Sequence, residues 1–341
     1  MVWGAETKCG GTGFFGVLLS KKDILIILFT MLYFVVNKYG GRGKSVGRWV
    51  VVQRELEARG EKYEVIFSEY HGHAKKIAAE LTASGSEKKD IIIIGGDGTI
   101  NEFLNGVVDF SVFRLGVIPA GSGNDFSRGL HLARHNPKKS IRSLLDNPKE
   151  TVIDTGLVTV NPGAQDENQF RFCISAGLGL DALICQKNET SKIKTVLNKL
   201  HIGKLSYIAI TLQTFFSMKS QTVKVSFDGE EERVFDRLIF LSAMNFSAEG
   251  GGVLMSPKAR ADDSVLSACA AGGVSNVMAF VKFPFVILGL HSKLRGFYFR
   301  DFKTMTATAE NGVVVHTDGE VVGVIKSLKI ECESAKLKII S

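Results

Sequence analysis

The sequence predicts a two-part fold, in which a parallel α/β domain precedes a largely antiparallel β domain. Up to about residue 150, apolar strand-like runs alternate with helical stretches, which is typical of βαβ units. From Asp154 onward short β-type segments dominate, among them the cleanly alternating "SLKIECE" at residues 327–333. The run "IIII" at residues 91–94 does not alternate, as expected for a strand that is covered on both faces.

The predicted elements follow one another at the spacing of a parallel sheet. Strands are expected at residues 31–36, 62–70, 91–94 and 113–121, with helices at 46–59, 73–84 and 99–107 between them. In the second half, helices are expected only at about 191–217 and 275–292. The predicted domains are therefore an atypical leader at 1–22, the α/β domain at 23–152 and the β domain at 153–341, whose last residues are expected to pack back on the first domain.

The apolar run at residues 24–36 is the main ambiguity of the N-terminal part. It follows Lys21 and Lys22, as in a signal peptide or an anchor. However, it has about 13 residues, fewer than the roughly 20 that span a bilayer, and no small-residue cleavage site follows. We interpret its end as a buried first strand, with residues 1–20 loose before it.

Composition narrows the classes of partner. The formal charge of +7 suits an anionic membrane or a phosphate-bearing ligand, and the chain contains no nucleic-acid-binding module. Five scattered cysteines without a CxxC pair argue against a disulfide framework or a zinc site and favour a reducing cytoplasm.

Two glycine-rich loops are the strongest functional signals. In "GGDGT" at residues 95–99, Thr99 is the predicted N-cap of a helix and Glu102 would complete a capping box. The helix N-terminus and the bare backbone of Gly95, Gly96 and Gly98 form a cradle for phosphate. Asp97 cannot attract phosphate, which leaves it three duties: binding Mg²⁺, binding a hydroxyl, or accepting a proton.

The second loop, "PAGSGND" at residues 119–125, follows the next strand. In a parallel sheet both loops lie at the carboxyl ends of strands, where ligands of such sheets bind. A third glycine-rich turn, "NKYGGRGKS" at 37–45, is not a Walker A loop because Lys38 stands where glycine is required. Asn37 remains well placed to donate to a nucleotide.

These motifs together resemble the diacylglycerol kinase-type lipid kinase family, which includes bacterial diacylglycerol kinases and sphingosine kinases. The resemblance rests on GGDGT followed by NE, on PxG(S/T)xNDF(A/S)R at 119–128, and on "FRFCISAGLGLDALI", "EGGGVLMSPKARADDSVLSA" and "HTDGE" farther on. Cys173, Leu180 and Ser264 depart from the family pattern. NAD kinases and phosphofructokinases share the first loop.

The resemblance implies a β-sandwich for the second domain, with ATP in the cleft between the two domains. It implies that ATP is held by Asn37, Gly95, Gly96, Gly98, Thr99, Glu102, Gly121, Ser122, Gly123 and Asn124. Glu320 is then the favoured general base, Asp97 its rival, and Asp318 a third catalytic candidate. Without the family, Asp318-Gly319 reads more simply as a hairpin turn, and His316 beside it as a packing residue.

A structural Mg²⁺ site is also implied by the resemblance. Asp263 would bind the ion together with the carbonyl groups of Arg260 and Val265. Ser264 replaces a glycine there, and a solvated turn is the alternative.

The expected reaction is the ATP- and Mg²⁺-dependent phosphorylation of a lipid hydroxyl, and diacylglycerol is the favoured acceptor. The lipid is expected at an anionic membrane surface, with the protein cytoplasmic and peripheral to the inner face; residues 187–204 hold five lysines and one acid. The alternatives are a sphingoid base or phosphatidylglycerol as acceptor, an NAD kinase-like enzyme, or a non-catalytic nucleotide- and lipid-binding regulator. The oligomeric state stays open, a homodimer included.

Overall fold

The computed structural model describes residues 31–83, 88–132, 136–190, 213–219 and 221–341. The predicted leader, most of the lysine-rich segment and most of the helix predicted at 191–217 lie outside the described residues. None of the described helices is both long and apolar enough to cross a bilayer.

Strands and helices alternate as far as α5 and strands dominate after it. The helices are α1 (Lys44–Arg59), α2 (His73–Thr82), α3 (Asp97–Leu104), α4 (Asp125–Gly129), α5 (Pro137–Asp146), α6 (Leu180–Thr190) and α7 (Asn276–Ile287). The strands are β1 (Leu32–Asn37), β2 (Tyr63–Ser68), β3 (Lys89–Gly95), β4 (Phe113–Pro119), β5 (Glu150–Val160), β6 (Asn168–Phe172), β7 (Ser175–Gly179), β8 (Gln221–Phe227), β9 (Arg233–Leu238), β10 (Phe240–Met244), β11 (Leu266–Ala271), β12 (Phe297–Phe302), β13 (Thr304–Thr317) and β14 (Glu320–Ile340).

The first four strands form a parallel sheet in the order β4-β3-β1-β2. Successive isoleucines of β3 enter two different cores. Ile91 and Ile93 pack on the face that α2 and α3 cover, while Ile92 and Ile94 pack on the face that α1 and α5 cover. Both faces are buried, which is why the run of four isoleucines shows no polar alternation.

The second half is mainly antiparallel and closes on its own apolar core, which β5 to β14 supply. The 21-residue strand β14 pairs with β13 and β5. At its end, Ile339 and Ile340 pair in parallel with Leu115 and Gly116 of β4, so one sheet continues through both halves. The predicted fold class is confirmed.

Two helices were not predicted from the sequence. The first, α5, carries a recognisable start signal, because Asn136 accepts a hydrogen bond from the N–H of Lys139 at 3.0 Å and Pro137 occupies the first turn. The second, α6, begins directly after β7 within the motif "GLGLDALI". The sequence predicts a β segment at residues 170–178, just before this helix, and no element for residues 180–190.

Candidate active site

The loops that follow β1, β3 and β4 meet at one edge of the parallel sheet. A Cβ added to Gly96 would lie 2.9 Å from the Cα of Gly121, so the first and second loops pack backbone against backbone. Asn37 donates from Nδ2 to Thr99 Oγ1 at 2.7 Å, which ties the loop after β1 to the first loop. The glycines are therefore required by close approach of main chains as well as by any ligand.

The start of α3 differs from the prediction. The helix begins at Asp97, with Gly96 as an extended N-cap that makes no side-chain cap bond. The Gly96 carbonyl accepts from the N–H groups of Thr99 and Ile100 at 3.0 and 3.2 Å, so Thr99 lies inside the first turn. The predicted N-cap at Thr99 is wrong, because the glycine turn lets the main chain close the helix earlier.

The contacts of Glu102 also differ from the predicted capping box. Its carboxylate accepts from the N–H of Ala74 at 3.3 Å and lies 2.8 Å from His71 Nδ1. These contacts tie α3 to the start of α2. The carboxylate of Glu102 thus faces α2, whereas the nucleotide-binding role that the resemblance implies stays a prediction.

Asp97 connects the first and second loops. Its two carboxylate oxygens accept from the N–H groups of Asp125 and Phe126, both at 3.1 Å. Burial raises the pKa of Asp97, and these N–H groups act in the opposite direction. Asp97 therefore connects the start of α3 to the start of α4 through hydrogen bonds.

The second loop is closed by its own asparagine. Asn124, in the left-handed conformation, donates from Nδ2 to the carbonyl of Gly121 and accepts at Oδ1 from the N–H of Gly121, both at 2.9 Å. Ser122 is exposed, while Gly123 lies so close to Asp97 that an added Cβ would be 3.2 Å from Oδ2. These contacts close the loop through groups of the protein itself, and such an arrangement suits preorganised phosphate binding.

Asp125 and Arg128 join this loop to the second half of the chain. Asp125 accepts from the N–H of Gly251 at 2.6 Å and pairs with Arg128. Arg128 in turn donates to the carbonyl of Gly123 at 3.3 Å. Both residues belong to the NDF(A/S)R motif, but reasoning from residue chemistry alone gave them no role.

The β13–β14 turn brings the third motif to the same place. Asp318 and Gly319 both have positive φ and Thr317 pairs with Glu320, so the segment is the hairpin turn that a plain reading of Asp-Gly predicts. A Cβ added to Gly98 would lie 2.5 Å from Glu320 Oε1. The hairpin therefore also sets the Glu320 carboxylate against the first turn of α3.

Asp318 positions this turn by binding backbone. Its carboxylate accepts from the N–H groups of Cys173, Ile174 and Ser175 at 2.9, 2.8 and 3.1 Å, and from Asn101 Nδ2 at 3.0 Å. Burial raises the pKa of Asp318 and the four donors oppose that shift. Because its oxygens are occupied in this way, the geometry supports a positioning role for Asp318 and not a proton-transferring one.

A buried polar cluster lies behind the turn. His316 accepts at Nδ1 from the N–H of Gly319 at 3.1 Å, and its Nε2 is 3.4 Å from Asp181 Oδ2, near but poorly aligned for a hydrogen bond. Burial lowers the pKa of His316, yet Asp181 and Glu249 outweigh it and the net shift is upward. Burial raises the pKa of Glu249 to about 7. Asp181 and Glu249 stand in quoted motifs but were not predicted as site residues.

This cluster does not suit a metal ion. Asp181, Glu249 and His316 offer ligand atoms within 4.8 Å of one another. However, Nδ1 can accept from Gly319 only when it carries no proton, so the proton of the neutral ring is on Nε2, the atom that a cation would need. The arrangement holds a proton and fixes the Gly319 turn.

The predicted Mg²⁺ ligand Asp263 lies in an acidic neighbourhood. Burial raises its pKa, and the carboxylates of Asp154 and Asp301 add to that shift. Arg260 does not offset this charge, because its guanidinium pairs with Asp262 at 3.0 Å. Carboxylate and carbonyl oxygens suit a hard divalent cation, but among the described residues Asp263 is not part of a close group of three side-chain ligands. The assignment of Asp263, Arg260 and Val265 as ligands stays a prediction.

The three residues that depart from the family pattern differ in their surroundings. Ser264, which stands where the pattern has glycine, takes a left-handed conformation with φ of 64°, and its N–H donates to Asp154 Oδ2 at 2.7 Å. Cys173 and Leu180 are buried in apolar cores, and Cys173 serves Asp318 through its main chain.

Comparisons with known proteins cover both halves. Residues 31–158 match the model of the diacylglycerol kinase catalytic domain, and residues 175–341 match the model of the YegS C-terminal NAD kinase beta sandwich-like domain. A diacylglycerol kinase of Mycobacterium tuberculosis is 27% identical over 289 residues, which cover 84% of this chain and 87% of that protein. A diacylglycerol kinase of Bacillus subtilis is 30% identical over 208 residues, 59% of this chain and 62% of that protein.

A solved structure has the same fold. The crystal structure of a diacylglycerol kinase from Bacillus anthracis matches with a TM-score of 0.68 at 22% identity, covering 91% of this chain and 96% of that one. One family model matches each half of the chain, and the two matches follow the order of the motifs. The chain belongs to the diacylglycerol kinase-type family of lipid kinases, which phosphorylate an alcohol group.

Proposed function

We propose that this lipid kinase transfers the γ-phosphoryl group of ATP to the hydroxyl group of diacylglycerol, giving phosphatidic acid and ADP. The supporting observation is the contact of Glu320 with Gly98, because it brings a carboxylate of the second half to the phosphate-binding loops of the first. A carboxylate at that point can take the hydroxyl proton as the acceptor oxygen bonds to phosphorus and the bond to ADP breaks.

The remaining roles follow from the contacts of the loops. The main chain of 96–99 and 121–124 is preorganised for phosphate, since the loops brace each other through Asp97 and Asn124. Asp97 keeps lone pairs beyond its two N–H bonds, and we assign it to the cation that accompanies ATP. When bound, Mg²⁺ offsets the negative charge of the phosphate oxygens. Asp263 is assigned to a separate structural cation.

The acceptor is proposed from the second half. A cavity of about 300 Å³ there has apolar side chains in its lining, among them Leu183, Met218, Val313 and Val314, together with the polar side chains of Lys187, Lys219 and Gln221. Such a lining suits part of an acyl chain. We further propose that the protein meets its lipid at an anionic membrane surface, as a peripheral protein of the inner face.

The test is transfer of radiolabelled phosphate from ATP to a panel of acceptors. Diacylglycerol, a sphingoid base, phosphatidylglycerol and NAD are each offered with Mg²⁺, and the products are identified. Labelled phosphatidic acid is the expected main product. Label on NAD with none on lipid would assign the chain to NAD kinase-like chemistry, and ATP binding without transfer to any acceptor would make it a regulator.

A further inference from the structure

The helix α7 exposes an apolar stripe where a helix on a protein surface usually exposes polar residues. Val277, Val281, Phe285 and Leu288 follow one another at spacings of four, four and three residues, so they share one side of the helix. All four are exposed, Val277 to 64% and Leu288 to 63%. The other side carries Ala279 and Val286, which are buried in the core.

The stripe continues onto a neighbouring element. In the short helix at residues 213–217, Phe215 is buried while Phe216 is exposed. The ring centroids of Phe216 and of Phe280 in α7 are 5.4 Å apart. We call Phe216, Phe280, Val277, Val281, Phe285 and Leu288 the docking face. A contiguous apolar patch of this kind on a water-exposed surface marks an interaction site.

The stretch of sequence that contains α7 carries charges of one sign. No Asp or Glu occurs in the sequence between Asp263 and Asp301. Over the same stretch the chain carries Lys282, which is part of α7, Lys293 and Arg295, and Lys282 Nζ donates to the carbonyl of Arg295 at 2.5 Å. An apolar and aromatic surface with a basic border is complementary to an anionic lipid interface, where acyl chains lie beneath negative headgroups.

We propose that the docking face inserts into the interface of an anionic phospholipid bilayer and holds the enzyme there during catalysis. This inference rests on the proposed function, because a lipid acceptor has to be collected from a bilayer. A protein partner is less suited to this surface. Its own surface would need an apolar patch of complementary shape and acidic residues opposite Lys282, Lys293 and Arg295.

The docking face is also close to the proposed acyl cavity. The helix at 213–217 contributes Phe216 to the docking face, while its residues Thr214 and Ser217 line the cavity of about 300 Å³. Val313 and Val314 of β13, the strand that leads to Glu320, line the same cavity. The docking face and the proposed acyl cavity therefore share the helix at 213–217.

The test uses the full chain and vesicle sedimentation, which needs no catalytic activity. Wild type, the double variant Val277→Asp/Val281→Asp and the control Val108→Asp are mixed with phosphatidylcholine vesicles that contain or lack phosphatidylglycerol. Val108 is the matched control because it is equally exposed, at 65%, on the first half of the chain. Unfolding midpoints verify that all three are folded.

Wild type and Val108→Asp should sediment with anionic vesicles, and the double variant should bind about tenfold or more weakly. Phosphorylation of vesicle-embedded diacylglycerol should fall in parallel, while activity on dispersed short-chain diacylglycerol stays unchanged. Equal vesicle binding by wild type and the folded double variant would overturn the proposal. A wild type that is dimeric without lipid and becomes monomeric in the double variant would also overturn it, in favour of a self-association surface.

Failure of the proposed function gives a different pattern. A wild type that binds vesicles through this face, yet phosphorylates no lipid, would sink the proposed function and keep the docking face. The two ideas are thus separated by comparing sedimentation with turnover.

Discussion

Gly98→Ala should separate stability from catalysis. The added Cβ would stand 2.5 Å from Glu320 Oε1, whereas real contacts of a Cβ stay above 3.0 Å. The carboxylate must therefore retreat by at least about 0.5 Å from the position that the geometry gives it. The only atoms that the Cβ meets are at the end of a flexible side chain, so the backbone can stay in place.

The substitution should affect stability and activity in opposite directions. Alanine is preferred over glycine within a helix by up to about 1 kcal/mol, so the free energy of unfolding should be unchanged or slightly higher. A general base contributes on the order of 100-fold or more to the rate, and a displacement below 1 Å should cost a good part of it. We expect kcat to fall by about 10- to 100-fold.

The assay is steady-state transfer of labelled phosphate to diacylglycerol, together with urea unfolding. Gly47→Ala is the matched control, because Gly47 lies in α1 and its added Cβ would meet no atom within 4 Å. That control should gain stability and keep its kcat. A Gly98→Ala enzyme with wild-type kcat would refute the placement of Glu320 as the base.

The other predictions concern the groups around the β13–β14 turn. The amide oxygen of His316→Asn can lie where His316 Nδ1 accepts from the Gly319 N–H, whereas the amide of His316→Gln is one methylene farther from the main chain. Therefore kcat should survive better in His316→Asn, and equal losses would show that this bond does not matter. Asp318→Asn should cost about 2–4 kcal/mol of unfolding free energy in urea and most of the activity, since an amide cannot accept from four donors. Asp228→Asn alters the Asp-Gly turn between β8 and β9 and should leave activity intact; loss of activity in both would refute a specific role for Asp318. Glu249 has a folded pKa of about 7 against an ordinary 4.5, so its stabilising contribution is complete below about pH 4.5 and is lost as pH rises through about 7. Glu249→Gln should flatten that part of a plot of unfolding free energy against pH, and an unchanged plot would contradict the burial argument.

The sequence predicted the parallel half well because local patterns decide it. Four buried isoleucines, the glycine loops and the helices between strands are all signals of short range. The start of α3 was predicted two residues late because the capping rule considers side chains, whereas here the Gly96 carbonyl closes the turn. Local rules cannot weigh a main-chain cap against a side-chain cap when glycine permits both.

The sequence predicted the loops of the candidate site better than the buried residues that pack behind them. The prediction of a hairpin turn at Asp318-Gly319 is correct, and this turn sets Glu320 against Gly98. The functional role of the turn stays a prediction. His316, Asp181 and Glu249 meet only through strand pairing across the second half, which no spacing in the sequence reveals. The apolar stripe of α7 was likewise hidden, since a helix pattern does not tell which face is left uncovered.

The most direct test of the account is the effect of Glu320→Gln on turnover and on nucleotide binding. Glutamine has nearly the same shape as glutamate but cannot take a proton, so kcat with diacylglycerol should fall by about 100-fold or more while the affinity for ATP stays near that of wild type. A folded Glu320→Gln protein that forms phosphatidic acid at the wild-type rate would contradict the central claim that this carboxylate is the base.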